Sequence, residues 1–227
     1  MPRLFAISDI HGCYETFYEL VVNVIGLKKT DKLVLLGDYI DRGERSREVI
    51  DLIIDLIFRG FDVTPLKGNH EVMLCDAYKN SDMLPLWHMN SGMTTLASFG
   101  VQDIREMESH YLDFFNNLEY YKSSGKFIFV HAGFNDYAKD PFEDTNHMVW
   151  ECRQTYGNPV LQGKTIIHGH RPKTIPYIKK LIDEKSKVIP VDTGCIYEEE
   201  YGYGNLTALE VKSMTLFSIP NISTNYA

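Results

Sequence analysis

Short apolar runs recur along the chain, and each of them ends in Gly, Asp, Asn or His. Two examples are LFAIS at residues 4–8 and KLVLLG at residues 32–37. β-Branched and aromatic residues that are closed by turn-forming residues are typical of β-strands. The same pattern predicts further strands in DVTPLKG, KFIFVHAG, KTIIHGH, KVIPVDTG, NLTALEV and MTLFSI.

Helical periodicity fills the gaps between the first three predicted strands. We predict helices at residues 14–25 and 44–59, and the second has a continuous apolar stripe. Alternating strands and helices predict a parallel sheet whose ligands gather where the strands end. The stripe consists of Val49, Ile50, Ile53, Ile54, Ile57 and Phe58.

The last third of the chain has a different pattern, in which strand follows strand with only turns between them. We expect a second, more antiparallel sheet there, packed on the first as a sandwich with helices outside. Residues 71–117 have a helical pattern that includes Trp87, Phe99 and Tyr111. We interpret residues 76–125 as a helical, cap-like segment within a single domain of residues 1–227.

Size and charge restrict the class of protein. The chain has 227 residues, of which 44% are hydrophobic, and this suits a globular domain with a substantial core. The formal net charge is −8, whereas proteins that bind nucleic acid usually carry a basic face. We therefore expect no nucleic-acid partner, and the charge argues against a metal-dependent nuclease.

Cysteine spacing and the N-terminal residues indicate the compartment. Cys13, Cys75, Cys152 and Cys195 lie far apart and form no CxxC pair, which fits a reducing environment. The apolar run near the N-terminus is interrupted by Asp9 and is too short for a signal peptide or a membrane span. We expect a cytoplasmic protein without a membrane partner.

Metal-ligating residue types stand at the predicted strand ends of the core. They occur in DIH, GDYIDRG, GNHE, HAG and HGHRP. Mixed oxygen and imidazole ligands suit divalent ions such as Mn, Fe or Zn, in contrast to calcium cages or thiolate zinc sites. The six candidates are Asp9, His11, Asp38, Asn69, His131 and His170.

In this order, the motifs DxHG, GDxxDRG, GNHE, HxG and GHxP resemble those of the phosphoprotein phosphatase family of dinuclear metallophosphoesterases. The resemblance spans residues 4–75 and 126–211, and five separate motifs agree. It implies the calcineurin-like metallophosphoesterase fold, an α/β sandwich of two mixed β-sheets flanked by helices. It also implies two divalent metal ions, Mn first, with Fe or Zn as alternatives.

The resemblance assigns roles to the motif residues. The first metal would be bound by Asp9 and His11, and Asp38 would bridge to the second metal. The second metal would be bound by Asn69, His131 and His170.

Catalytic and phosphate-binding roles follow from the same resemblance. His70 would be the general acid, held by Asp41, and Arg42 would bind the phosphate together with Asn69. Arg153 is the best match to a second phosphate-binding arginine, although it lies one residue further from Trp150 than usual. Lys67 replaces the arginine that usually precedes GNHE, and lysine lacks the bidentate fork.

The neutral amide of Asn69 affects the net charge of the predicted metal site. Asp9 and Asp38 supply two negative charges against four positive charges from two divalent ions, so the site stays cationic. A phosphate dianion is attracted to such a site. An Asp at position 69 would largely cancel that attraction.

The function that the resemblance implies is hydrolysis of phosphoserine or phosphothreonine in a phosphoprotein or phosphopeptide by direct attack of a metal-bound hydroxide. The alternative is symmetrical hydrolysis of diadenosine tetraphosphate or another dinucleoside polyphosphate, since that branch shares the motifs. A binding module without catalysis would lack a ligand or the acid, and neither is missing here.

Two features leave their interpretation open. Glu198, Glu199 and Glu200 form either a solvated turn or a specificity loop, and in the cleft they would disfavour acidic phosphopeptides. His168 faces the same side as His170 by spacing, so it either supports the site or makes a structural hydrogen bond.

Overall fold

Two β-sheets pack face to face in the computed structural model, which describes residues 2–197 and 202–223. Three parallel strands and an antiparallel hairpin make up the first sheet, and the hairpin lies beside the N-terminal strand. In spatial order its strands are Asp62–Pro65 (β3), Lys32–Leu35 (β2), Leu4–Ile7 (β1), Asn205–Glu210 (β8) and Thr215–Pro220 (β9).

The second sheet is mostly parallel, so the expectation of a more antiparallel sheet is wrong. Only the β4–β5 pair of this sheet is antiparallel, and the predicted C-terminal hairpin joins the first sheet. The reason is a helix at Ile175–Asp183 (α8), which provides the crossover that parallel strands need. The strands are Tyr121–Ser124 (β4), Phe127–Val130 (β5), Thr165–His168 (β6) and Val188–Pro190 (β7). Both sheets are mixed, as predicted.

Both predicted helices are present. The first is α-helical over Tyr14–Tyr18 (α1) and widens into a π-helix over Glu19–Val24, and the second covers Ser46–Phe58 (α2). Residues 71–117 are largely helical, as expected, and Trp87 is fully buried there. The remaining helices are Asn69–Lys79 (α3), Leu84–Met89 (α4), Gly92–Phe99 (α5), Ser109–Asn116 (α6) and Thr145–Trp150 (α7), with short 3₁₀ turns at Ser81–Met83 and Ile104–Glu106.

Alternation along β1 divides the core into layers. Leu4 and Ala6 belong to the cluster between the two sheets, which includes Phe129 of the second sheet. Phe5 and Ile7 point to the opposite face and pack among the helices. This period of two is what a strand with both faces buried requires.

No helix within the described residues is long and apolar enough to cross a membrane. The assignment of residues 76–125 as a cap within one domain stays a prediction.

Candidate active site

The predicted site residues meet at one edge of the sandwich because they follow the carboxyl ends of parallel strands. Asp9 and His11 follow β1, and Asp38 follows β2. Asn69 and His70 begin α3 directly after β3. The second sheet adds His131 after β5 and His170 after β6, and it also brings Asp192 after β7, which was not among the predicted site residues.

Left-handed backbone conformations are concentrated in these turns. Among the described residues, nine non-glycine residues have positive φ, and six of them belong to the site. Strained backbone of this kind persists only where the surrounding structure stabilises it, and it is frequent at functional sites. The six are Asp9, His11, Asp38, Asp41, Arg42 and His170, with φ between 46° and 70°.

Asp38 lies at the centre of two groups of candidate ligand atoms. In the first group its Oδ2 lies 3.6 Å from Nε2 of His11 and 4.0 Å from Nε2 of His70. In the second group the same Oδ2 lies 3.5 Å from Nε2 of His131, and His170 completes the group. The ligand atoms within each group lie within 4.8 Å of one another. A shared carboxylate between two groups suits the predicted bridging role of Asp38.

The amide of Asn69 lies within the second group. Its Oδ1 is 3.0 Å from Nε2 of His131 and 3.1 Å from Nδ1 of His170. Nδ1 of His131 faces the Leu36 carbonyl at 2.8 Å, which leaves Nε2 directed toward Asp38. Oxygen and nitrogen donors therefore converge on one point.

Asp9 is placed beside both groups. Its Oδ2 accepts hydrogen bonds from the hydroxyl of Ser8 and, at 3.0 Å, from the backbone N–H of His170. The first group of converging atoms contains His70 in the position where the sequence analysis placed Asp9. The assignment of Asp9 as a ligand, with His70 as the acid, stays a prediction.

Burial keeps two of the candidate imidazole ligands, His11 and His170, neutral. It lowers the pKa of His11 well below its ordinary value, and the nearby Arg42 adds to this effect. Burial also lowers the pKa of His170 to about 2, and His131 contributes in the same direction. Neutral imidazole is the form that binds metal.

Burial shifts the pKa of carboxylates in the opposite direction. Burial raises the pKa of Asp38 well above its ordinary value. Burial likewise raises the pKa of Asp192, and the neighbouring Asp9 adds to the increase. Desolvated carboxylates beside neutral imidazoles form a donor set that fits divalent cations, since a cation would compensate the buried negative charge.

His70 and Asp41 form a buried pair next to this donor set. Nδ1 of His70 lies 2.7 Å from Oδ2 of Asp41, and both residues are almost fully buried. Burial lowers the pKa of His70, but the charges of Asp38 and Asp41 outweigh it, so the pKa of His70 is raised. The other ring nitrogen, Nε2, faces the gap between Asp38 and Arg42.

Two residues of the helical segment orient Asp41. The indole N–H of Trp87 donates to Asp41 at 3.0 Å, and the hydroxyl of Thr95 donates to it at 2.5 Å. These two hydrogen bonds fix the orientation of the Asp41 carboxylate that contacts His70. These two residues were not predicted to belong to the site, because no motif links Asp41 to positions that lie 46 and 54 residues beyond it.

Arg42 lies across the mouth of the site. Its two terminal nitrogens are 3.1 Å from Nε2 of His11 and 3.3 Å from Nε2 of His70. The same side chain donates to the Tyr197 hydroxyl at 3.3 Å. A guanidinium in this position can bind a phosphate through paired hydrogen bonds.

Glu71 stabilises the turn that carries Asp38. Its carboxylate accepts from the backbone N–H groups of Asp38, Tyr39 and Gly68 at 2.8–2.9 Å. A side chain at Gly68 would collide with the Asp38 carboxylate, which explains the glycine there. Glu71 is the third residue of its helix and accepts from the backbone N–H of the N-cap, Gly68, as the Glu of a capping box does, although Gly68 has no side chain to return the bond.

The structure places two other cations away from these ligands. Arg153 lies over the ring of Tyr137, 4.9 Å from its centroid, in a neighbouring cavity. Lys67 is buried and donates to the carbonyl of Asn116 at 3.3 Å. The phosphate-binding role of Arg153 stays a prediction.

His168 makes a local contact. It is buried, and its Nδ1 faces the carbonyl of Gly169 at 3.0 Å and the thiol of Cys152 at 3.7 Å. Glu198, Glu199 and Glu200 lie outside the described residues.

Comparison with known proteins adds to this geometry. Residues 2–201 match the family model described as calcineurin-like phosphoesterase. The chain is 27% identical to serine/threonine-protein phosphatase 2 of Salmonella typhimurium, with 92% of this chain and 93% of that protein covered. It is 26% identical to an asymmetrical bis(5′-nucleosyl)-tetraphosphatase of Anoxybacillus flavithermus, with 95% and 93% covered.

A solved structure supports the fold. It is that of a protein serine/threonine phosphatase from Saccharomyces cerevisiae, with a TM-score of 0.67 and 15% identity. The match covers all of this chain and 81% of the other. At that identity the likeness shows the fold alone.

Proposed function

Because this chain belongs to the calcineurin-like phosphoesterase family, we propose that it hydrolyses phosphoserine and phosphothreonine monoesters in protein or peptide substrates. Family membership makes the chain a metal-dependent phosphoesterase, so the proposal concerns the substrate. The pairing of His70 with Asp41 is the observation that supports it most.

The donor set would hold two divalent ions. Asp9 and His11 would bind one ion, and Asp38 would contact both. When bound, the ions would supply a water molecule of lowered pKa and positive charge for the phosphate. Mixed oxygen and nitrogen donors suit Mn first, with Fe or Zn as alternatives. The second ion would be bound by Asn69, His131 and His170.

The two candidate substrates differ in their leaving groups. Cleavage of a serine or threonine ester expels an alkoxide, which is a poor leaving group unless an acid donates a proton to it. Cleavage of a phosphoanhydride expels a phosphate that leaves without such help. A buried His70 that is fixed through Nδ1 by Asp41 is a positioned proton donor. The ester therefore depends on this donor more than the anhydride does.

Phosphate binding depends on Arg42 and Asn69. Arg42 already lies across the two imidazoles that border the site, so a phosphate above Asp38 would meet its guanidinium. The Asn69 amide leaves the site cationic for a dianion, as the charge balance predicts. The neighbouring acid, His70, is then directed at the ester oxygen.

Hydrolysis of dinucleoside polyphosphates is the second candidate. The similarity to the tetraphosphatase of Anoxybacillus flavithermus covers as much of the chain as the similarity to the phosphatase does. That branch shares the motif of the acid, but its substrate is an anhydride, whose leaving group needs a proton less than an alkoxide does. We therefore rank it second.

A rate comparison on Mn-loaded protein tests the proposal. Phosphate release from a phosphoserine peptide is measured beside nucleotide release from diadenosine tetraphosphate, with Asp38→Asn as the blank. We expect the higher kcat/KM on the peptide. A higher kcat/KM on the dinucleotide would overturn the proposal in favour of the second candidate.

A further inference from the structure

A second cavity, of about 540 Å³, borders the segment that carries His170. His168 and Arg171, which stand on either side of the segment 169–170, both line it. Arg171 directly follows a predicted metal ligand, so its Cα lies about 3.8 Å from that of His170. The cavity therefore borders the chain segment that holds a predicted ligand, although none of the six predicted metal ligands lines it.

Cations dominate this cavity. Arg153, Arg171 and Lys173 line it, together with one carboxylate, Glu184. The Glu184 carboxylate lies 3.8 Å from the ammonium group of Lys180 on the same helix, so its charge is partly offset. The surplus of positive charge is unusual in a chain whose net charge is −8.

Another large cavity provides a contrast. It lies between the first two helices, and its lining contains Glu48, Asp51 and Asp55 against a single cation, Arg59. A general enrichment of cations in cavities therefore does not explain the lining beside His170. The two cavities thus differ in the sign of the charge that lines them.

Two of the three cations of the cavity lie over aromatic rings. The guanidinium of Arg153 lies 4.9 Å from the ring centroid of Tyr137, and the ammonium of Lys173 lies 5.9 Å from that of Tyr177. The backbone N–H of Lys173 donates to the carbonyl of Asp192 at 2.9 Å, which ties this segment to the end of β7. Over residues 2–197 and 202–223, no carboxylate forms an ion pair within 4.0 Å of Arg153, Arg171 or Lys173.

The scissile phosphate would already be neutralised by the metal ions and Arg42. The three cations of the cavity are therefore not needed for that phosphate. Arginine binds phosphate through two parallel hydrogen bonds, and lysine adds a point charge. The volume falls within the range of about 300–1,000 Å³ that is typical of small-molecule sites, so it exceeds the needs of a lone anion. Apolar walls from Leu181 and Val188 can contact the body of the substrate.

We propose that this cavity binds a second phosphoryl group of the same substrate whose first phosphoryl group is hydrolysed at the metal site. This inference rests on the proposed phosphoesterase function and names the substrate class more closely. The second phosphoryl group has two candidate chemical sources, a doubly phosphorylated peptide or the polyphosphate chain of a nucleotide.

The test uses the double variant Arg171→Gln, Lys173→Gln in the Mn-loaded full chain. kcat/KM is measured on p-nitrophenyl phosphate, on singly and doubly phosphorylated peptides of one sequence, and on diadenosine tetraphosphate. Lys179→Gln, an exposed charge change on the following helix, α8, is the control. The thermal unfolding midpoint of each variant checks the fold.

We expect the double variant to lower one of two ratios about tenfold, which corresponds to the loss of one charge-assisted hydrogen bond. A lower ratio of doubly to singly phosphorylated peptide identifies a peptide as the source. A lower ratio of dinucleotide to p-nitrophenyl phosphate identifies the polyphosphate. Lys179→Gln should change neither ratio.

Both ratios within twofold of wild type would overturn the inference. Absence of wild-type activity on every phosphate ester would instead overturn the proposed function, so the two failures are distinguishable.

Discussion

Nδ1 of His70 lies 2.7 Å from Oδ2 of Asp41, and water is excluded from both side chains. The contact fixes the ring. Burial lowers the pKa of His70, but the charge of Asp38 and the contact with Asp41 outweigh this effect, so the pKa is raised. The contact also leaves Nε2 free to face the phosphate site. The proposed acid therefore depends on residues that hold Asp41.

Trp87→Phe tests that dependence. The substitution removes the indole N–H that donates to Asp41 but keeps an aromatic ring in the core. We expect kcat on a phosphoserine peptide to fall on the order of tenfold, since a hydrogen bond to a charged group contributes about 1.5–3 kcal/mol. The loss on p-nitrophenyl phosphate should be smaller.

Tyr111→Phe is the matched control for this variant. It removes a hydroxyl that donates to Asp51 at 2.6 Å, in the same helical segment but away from the site. It should affect stability without changing the preference between the two substrates. Equal losses on both substrates for Trp87→Phe would argue against a positioning role.

Asn69→Asp tests the charge balance. The added carboxylate would keep a metal-binding oxygen in nearly the same place and lower the site charge by one. Two unit charges about 4 Å apart interact by about 1 kcal/mol even in bulk water. We therefore expect the inhibition constant of inorganic phosphate to rise at least fivefold at full metal occupancy. An unchanged inhibition constant in metal-replete protein would refute the role of the neutral amide.

Metal loading should stabilise the fold, because the carboxylates of Asp38 and Asp192 are buried together. An ion that binds only the folded state adds about 2.7 kcal/mol at a concentration of 100 times its Kd. We expect Mn to raise the Tm of chelator-treated protein, as measured by calorimetry. Asp38→Asn should lose most of the increase, and an equal increase in that variant would contradict the assignment.

Asp31 should make the stability depend on pH. The side-chain hydrogen bond from Arg3 lowers the pKa of this buried carboxylate, which also accepts from the backbone N–H of Lys28. A lowered folded-state pKa gives stability that is present above the unfolded value of about 3.9 and is lost as the pH falls through the folded value. Asp31→Asn should thus cost about 1–3 kcal/mol at pH 7 and much less near pH 2.

Urea unfolding of chelator-treated protein at both pH values measures this difference. Asp62→Asn is the control, since Asp62 pairs with Lys32 at the surface and exposed pairs contribute about 0–1 kcal/mol. A cost for Asp31→Asn that is the same at both pH values would show that the carboxylate charge is unimportant.

The positions of the candidate ligands could be predicted because each follows a strand in sequence. Parallel strands bring such residues to one edge whatever the details of the loops. Asp38 and His131 come from different sheets, yet they lie 3.5 Å apart. Short motifs that follow strands are therefore sufficient to predict most of the candidate ligands.

Other features depend on contacts that no local pattern encodes. Trp87 and Thr95 reach Asp41 only through the packing of α4 and α5 against the sandwich. The second sheet was predicted with the wrong strand directions because α8 was interpreted as a turn. Local sequence indicates an element more readily than it indicates the partner of that element.

The substitution His70→Asn tests the central claim most directly, through kcat/KM on a phosphoserine peptide and on p-nitrophenyl phosphate with Mn-loaded protein. General acid catalysis contributes about 10²- to 10⁴-fold where the leaving group is poor. The account predicts a loss of this order on the peptide and a much smaller loss on p-nitrophenyl phosphate. Equal losses on both substrates would contradict the role of His70 as the acid.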